Sequence, residues 1–252
     1  MAELAIEARG VRKTFGDTVA VAGLDLAVPW GQICGYLGPN GAGKTTTLRL
    51  LAGVDHASAG SVAIAGHDLA SDGLAARAAL GFVPDSGALY GLLTVSEHLA
   101  LVADLHDLDA GAGARAEALL AEFGAADLLG RRIDTLSKGQ RQKAALVAAF
   151  LPQPRVLLLD EPLSGLDVHA VTALRERLRA HADGGGAVLY SSHILDVVER
   201  LCDRTVILAG GAVVADGPTA ELLARSGEPT LEAVFRSLTR ADAVEGLGEA
   251  LQ

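Results

Sequence analysis

Apolar residues along this chain follow two rhythms, alternation by two and recurrence at three or four, and the changeovers divide it into three regions. From Leu4 to Ala65, β-like runs alternate with turns: Leu4 to Val11, Thr18 to Val28, Gln32 to Leu37 and Ser61 to Ala65. A helix-like run, Thr46 to Ala52, interrupts them. From Ser86 to about Leu151 the spacing turns helical and predicts helices over Val95 to Leu105, Gly113 to Phe123 and Lys138 to Leu151. Strands and helices then alternate again. Val156 to Leu159 and Ala187 to Tyr190 are continuous apolar runs, the pattern of strands buried on both faces of a parallel sheet. Val168 to Ala182 reads as the crossover helix between them, stopped by Gly184-Gly185-Gly186. The acidic Ala/Gly-rich tail, Ala241 to Gln252, is expected to fray. The pattern predicts an α/β core with a β-rich flank and a helical insertion.

Between the run ending at Leu37 and the helix starting near Thr46 lies Gly38-Pro39-Asn40-Gly41-Ala42-Gly43-Lys44-Thr45-Thr46, which fits G-x-x-x-x-G-K-[ST]. The strand, loop, helix context is what a phosphate-binding loop requires. Its glycines can turn main-chain N–H groups inward at an anion, and the helix adds its unpaired N-terminal donors. Lys44 brings positive charge to the β/γ-phosphates and the Thr45 hydroxyl is placed to ligate Mg²⁺. The segment predicts binding of a nucleoside triphosphate.

Composition narrows the setting. The 252 residues suffice for one large domain or a core with a subdomain. A net charge of -10 argues against a nucleic-acid binder and against docking on anionic lipid by charge. Cys34 and Cys202 have no CxxC or metal-like spacing and read as buried residues in a reducing, intracellular setting. Met1 to Gly10 lacks the pattern of a signal peptide, and runs such as Ala144 to Leu151 fall well short of the roughly 18 residues of a membrane span. A soluble chain is expected.

A second constellation lies downstream. Leu157-Leu158-Leu159-Asp160-Glu161 is an apolar strand ending in two carboxylates. In a phosphate-loop protein the first suits the Mg²⁺ shell, and the second can accept a proton from the attacking water. Leu136-Ser137-Lys138-Gly139-Gln140 opens a helix, with Ser137 as its N-cap, and such an end is also an anion site.

With these in view the chain, from about residue 4 to 240, resembles the nucleotide-binding subunit of an ATP-binding-cassette (ABC) transporter. Gly38 to Thr46 is similar to that family's Walker A motif, Leu157 to Glu161 to Walker B, and Leu136 to Gln140 to the LSGGQ signature with Lys138 in third place. Ser164-Gly165-Leu166-Asp167 resembles the D-loop and Ser192-His193 the switch histidine. Phe15, just before Gly16, stands where the family's adenine-stacking aromatic stands. Signature, run and tail also resemble the bacterial subgroup with type-2 membrane subunits: Ser137 to Gln140, Ser191 to Glu199 and Leu231 to Phe235.

The resemblance implies a P-loop ATPase core with an antiparallel β-subdomain and a helical subdomain at about 86–151, all in one domain over 4–240. It implies ATP and Mg²⁺ as ligands, and ATP hydrolysis as activity. Glu161 and His193 would be catalytic. Nucleotide contacts would come from Phe15, the loop Gly38 to Thr46, and, across a dimer interface, Ser137, Gly139, Gln140 and Asp167. Thr45 and Asp160 would face the metal. So would Asp85, where most relatives carry glutamine; aspartate can ligate Mg²⁺ but cannot donate a hydrogen bond while ionised. Two cassettes, identical or different, would pair head to tail and drive a separate integral membrane subunit, so the chain would sit at the cytoplasmic face of the membrane. Leu89, Tyr90, Leu92 and Leu93 fall where that subunit would dock. Export is favoured over uptake.

Two other readings fit the same loop. A soluble ABC-type ATPase working on ribosomes or nucleic acid is opposed by the acidic charge, the single cassette and the lack of a coiled-coil insertion. A regulatory nucleotide sensor is opposed by Glu161 and His193. Lys138 reads as a solvent-facing surface lysine, and the remaining histidines, His56, His67, His98, His106, His169 and His181, show no metal-like clustering.

Overall fold

The computed structural model of the chain describes residues 4–85 and 87–239. The tail from Ala241 to Gln252, and the last residue of the expected 4–240 domain, lie outside the described residues. The chain opens as a hairpin of β1 (Leu4–Phe15) and β2 (Thr18–Pro29), in which Phe15 faces Thr18 across a Gly16-Asp17 turn. Gly16 has φ of 55°, the left-handed conformation a two-residue hairpin needs. β1 runs four residues beyond the expected Val11. The pairing shifts register between Ala8 and Val11, and this irregularity carries the polar Arg12 to Thr14 on along the sheet.

After β3 (Ile33–Leu37) and α1 (Lys44–Leu51) come β4 (Ala59–Ile64) and the two-residue β5 (His67–Asp68). They complete an antiparallel sheet in the order β2-β1-β4-β5. Next are α2 (Gly73–Ala78) and β6 (Leu80–Val83), then α3 (Val95–Leu105), α4 (Ala112–Glu122) and α5 (Lys138–Phe150). These last three match the expected helices to within a residue, since α3 and α5 are set by capping boxes, Thr94 with Glu97 and Ser137 with Gln140. β7 (Val156–Asp160), α6 (Val168–Asp183), β8 (Ala187–Ser191), α7 (Leu195–Leu201), β9 (Arg204–Ala209), β10 (Ala212–Pro218), α8 (Thr219–Ser226) and α9 (Leu231–Thr239) follow.

The second sheet has the order β10-β9-β3-β8-β7-β6 and is parallel except for the β9–β10 pair. Every residue of β3, β7 and β8 is buried. Alternate residues point to two different cores. Ile33, Leu37, Leu157, Leu159, Val188 and Tyr190 pack with the long helices α3 to α6. Cys34, Tyr36, Val156, Leu158, Ala187 and Leu189 pack with α1 and the antiparallel sheet. Each large apolar side chain so buried contributes roughly 1.5–3 kcal/mol, which is why no polar residue interrupts these strands before their ends. Both cysteines are free and buried. Burial pushes the Cys34 thiol up to about 12 and the Cys202 thiol well above its ordinary value.

Candidate nucleotide site

The C-terminal ends of β3, β6, β7 and β8 lie along one edge of the parallel sheet, the edge where such sheets carry their ligands. The loop leaving β3 is held by close backbone contacts. Gly43 is the N-cap of α1 with φ of 92°, and a side chain there would put its Cβ 2.4 Å from the Ala20 carbonyl oxygen. Only glycine lets the loop turn this tightly under β2. Gly41 (φ 82°), Pro39 and Asn40 are exposed, whereas Gly38 and Ala42 are buried. Lys44 donates to the Gly38 carbonyl at 2.6 Å and to that of Pro39 at 3.1 Å, so its ammonium sits over the loop. Burial lowers its pKa, and Glu161 and Asp160 act in the opposite sense. Thr45 donates its hydroxyl to Asp160 Oδ2 at 2.7 Å. Thr46, half-buried, follows in the first turn of α1.

Asp160 is the last residue of β7 and is buried. Glu161 follows with φ of 50°, a left-handed conformation unusual for a side-chain-bearing residue, costing of order 1–3 kcal/mol. The turn is pinned by the Glu161 N–H on the Ser191 carbonyl at 3.0 Å. It brings Glu161 Oε2 to 2.7 Å from His193 Nδ1 and 3.3 Å from the His193 N–H. The imidazole is exposed while the carboxylate is mostly covered. A carboxylate and an imidazole from the ends of adjacent strands thus meet beside the Lys44 loop.

The signature segment takes a different position. Ser137 caps α5, accepting from the Gln140 N–H at 3.2 Å while Gln140 Oε1 accepts from the Ser137 N–H at 3.0 Å. Among the described residues no hydrogen bond joins Ser137, Gly139 or Gln140 to the chain's own phosphate loop. Instead Gly139 lies against Gly165, where an added Cβ would stand 2.1 Å from the Gly165 carbonyl oxygen. Asp167 caps α6 through Oδ1 on the Ala170 N–H at 2.9 Å and pairs through Oδ2 with Lys143 at 2.6 Å. The Lys143 contact is the main reason its carboxyl titrates below the ordinary range. Sequence reasoning missed Lys143, whose only signal is a lysine amid the alanines and leucines of α5.

Phe15 stands at the tip of the first hairpin, 52% exposed, with Lys13 Nζ 4.9 Å from its ring centroid. Asp85 lies exposed just beyond β6; Val83 pairs with Leu159, so Asp85 leaves the sheet at the level of Glu161. Nearby Tyr90 and Leu92 are exposed at 63% and 80%, and a groove of about 240 Å³ opens beside them, lined by Phe82, Leu89, His98 and Val102. Larger cavities lie away from this edge, around Glu122 and Arg177 and along the outer side of α6. They hold none of the site residues named above, and Pro39, Asn40 and Gly41 leave the phosphate loop open to solvent.

The ABC transporter family profile matches residues 21–164. The chain is similar to the daunorubicin resistance ATP-binding protein DrrA3 of Streptomyces coeruleorubidus, 36% identical over 98% of this chain and 78% of the relative. It is likewise similar to the Nod factor export ATP-binding protein I of Burkholderia orbicola, 36% identical over 86% of this chain and 72% of the relative. A solved structure described as the ATP binding subunit of an ABC transporter superposes with a TM-score of 0.88 at 32% identity, covering 94% of this chain and 100% of that one.

Proposed function

This chain belongs to the ABC transporter family as an ATP-binding, ATP-hydrolysing subunit, and from that premise we propose that paired cassettes use it to power export through a separate membrane subunit. The relatives named for daunorubicin resistance and Nod factor export support the direction. No described helix is long and apolar enough to cross a membrane. The exposed Tyr90 and Leu92 beside the groove suit docking of that subunit, which would hold this chain at the cytoplasmic face. Residues 4–240 act as one cassette, with the helical subdomain at about 86–151.

One observation carries the catalytic part: the 2.7 Å contact of Glu161 with His193 beside Lys44 and Thr45. Lys44 and the loop N–H groups hold the β- and γ-phosphates, and Phe15 offers its ring to the adenine. Thr45 and Asp160 present hydroxyl and carboxylate oxygens close together, a hard donor set that fits Mg²⁺ alongside phosphate oxygens. Asp85 adds an oxygen from the neighbouring loop. When bound, Mg²⁺ neutralises charge developing on the phosphates. Glu161 takes a proton from the attacking water through the oxygen not engaged by His193. The His193 ring, held through Nδ1 beside Glu161 Oε2, presents Nε2 as its contact for the γ-phosphate.

Ser137, Gly139 and Gln140 form a capped helix end, exposed at Ser137 and half-buried at Gly139 and Gln140, with no hydrogen bond to their own phosphate loop among the described residues, which suits the γ-phosphate held by a second cassette. Asp167, at the start of α6, faces that second cassette. Glu161→Gln should lose roughly 10²–10⁴-fold in turnover, the loss of a general base. It should also accumulate an ATP-bound dimer by light scattering. A Glu161→Gln chain that stays monomeric with saturating ATP sinks the two-cassette reading.

A further inference from the structure

Lys143 is 8% exposed, midway along α5. Lysines are almost never buried unless paired, because a desolvated ammonium must be compensated. Lys143 is compensated twice, by Asp167 Oδ2 at 2.6 Å and by the Gly124 carbonyl at 3.3 Å. It does not stand alone. Gly139, Gln142 and Lys143, at spacings of three and four, share one face of α5. Gly139 meets Gly165, Gln142 donates to the Pro162 carbonyl at 3.1 Å, and Lys143 holds Asp167. The loop from Pro162 to Asp167 is therefore fastened to α5 at its beginning, middle and end.

The ends of this fastened unit matter. The loop starts immediately after Glu161, and Ser137 caps the start of α5. One helix face thus sets where the carboxylate beside the chain's own phosphate loop lies relative to the helix end free to serve another anion. The second partner of Lys143, Gly124, lies two residues beyond the end of α4; Glu122, the last residue of that helix, is gripped by Arg177 and its carbonyl lies 3.1 Å from His169 Nε2. Lys143 thereby ties the helical region to the first turn of α6.

We propose that Lys143 is a positioning residue that locks the Pro162–Asp167 loop to the signature helix, so that the Glu161 half-site and the Ser137 half-site of one chain move as a unit. The proposal rests on the two-cassette reading for its consequence in turnover, but the locking itself is a property of the single chain. Lys143→Met keeps the apolar stem and removes the ammonium; Lys143→Arg keeps a charge and donors. In the full chain with Mg²⁺ and ATP, Lys143→Met should raise amide exchange at residues 163–168 about tenfold, the order expected for losing one charge-assisted hydrogen bond. The value of kcat should fall by a similar factor of about ten while the KM for ATP stays within about twofold. Lys143→Arg should restore both. Local exchange staying at its parent value overturns the lock, as does exchange that rises evenly over the whole chain, the mark of general loosening; an unchanged kcat in a chain whose Glu161→Gln form dimerises overturns the positioning role. Should Glu161→Gln fail to dimerise while Lys143→Met raises exchange at residues 163–168 alone, the two-cassette reading and its turnover consequence fall and the lock stands.

Discussion

Gly139 and Gly113 are both the second residue of a helix, α5 and α4, yet replacing each by alanine should change stability in opposite directions. A methyl on Gly139 would lie 2.1 Å from the Gly165 carbonyl oxygen and 3.1 Å from its carbon. Since carbon and oxygen sit no closer than about 3.3 Å, one backbone must retreat by about 1 Å. Neither neighbouring atom belongs to a flexible side chain. Such overpacking costs typically 1–3 kcal/mol, against which alanine regains up to about 1 kcal/mol of helix propensity. At Gly113 nothing lies within 4 Å, so only the propensity gain remains. With about 2–4 °C per kcal/mol for a chain of this size, Gly139→Ala should melt up to about 8 °C below the parent and Gly113→Ala up to about 4 °C above it. Thermal unfolding followed by circular dichroism checks this. Phosphate release should fall in Gly139→Ala alone, while nucleotide affinity stays that of the parent, since the phosphate loop is untouched. A Gly139→Ala chain that melts at or above the parent refutes the close approach and the argument built on it.

Phe15→Ala should weaken ATP binding by the roughly 1–3 kcal/mol that a base–aromatic stack contributes, leave tripolyphosphate binding alone, and be rescued by tyrosine; equal ATP affinity in a fluorescence titration would discard the stacking role. The buried thiols should resist maleimide at pH 8, because burial holds Cys34 at about 12 and raises Cys202, and both should label on unfolding; mass spectrometry of the native chain decides. Asp203 accepts from the Ile33 N–H at 2.9 Å and is forked by Arg179. Burial pushes its carboxyl up but is outweighed by those donors, so the net shift is downward from 3.8. Its stabilisation is therefore complete above the unfolded value near 3.8 and is lost as pH falls through the folded one. Midpoints for Asp203→Asn should show a shallower decline below pH ~4 than the parent; parallel curves would contradict the linkage.

Much of this fold is legible in the chain because local and global signals agree. The apolar runs at β7 and β8 announce buried parallel strands, and the capping box around Ser137 fixes the start of α5 to the residue. The β9–β10 pair, α7 and α8 gave no comparably sharp pattern: β10 alternates weakly on an edge, and α7 and α8 are short. The phosphate loop is a local motif and reads directly. The meeting of Glu161 with His193 depends instead on β7 lying beside β8, a pairing between residues 31 apart that no short window of sequence contains. Gly139 stands in the first turn of α5, where the sequence carries no steric signal; only the neighbouring Gly165 backbone reveals the demand. Lys143 escaped notice because burial of a charge is a tertiary fact.

The main sheet is one strand thick and its residues answer alternately to opposite sides. It works as a partition wall in a two-room building. Redecorating one room, for instance resizing Leu157 or Val188, presses on the long helices and leaves Val156 and Ala187 seated against α1 and the antiparallel sheet. The helical room can therefore be refitted to suit a different mate while the room that grips the nucleotide keeps its furniture. A chain built this way can change what it drives without relearning how it is driven.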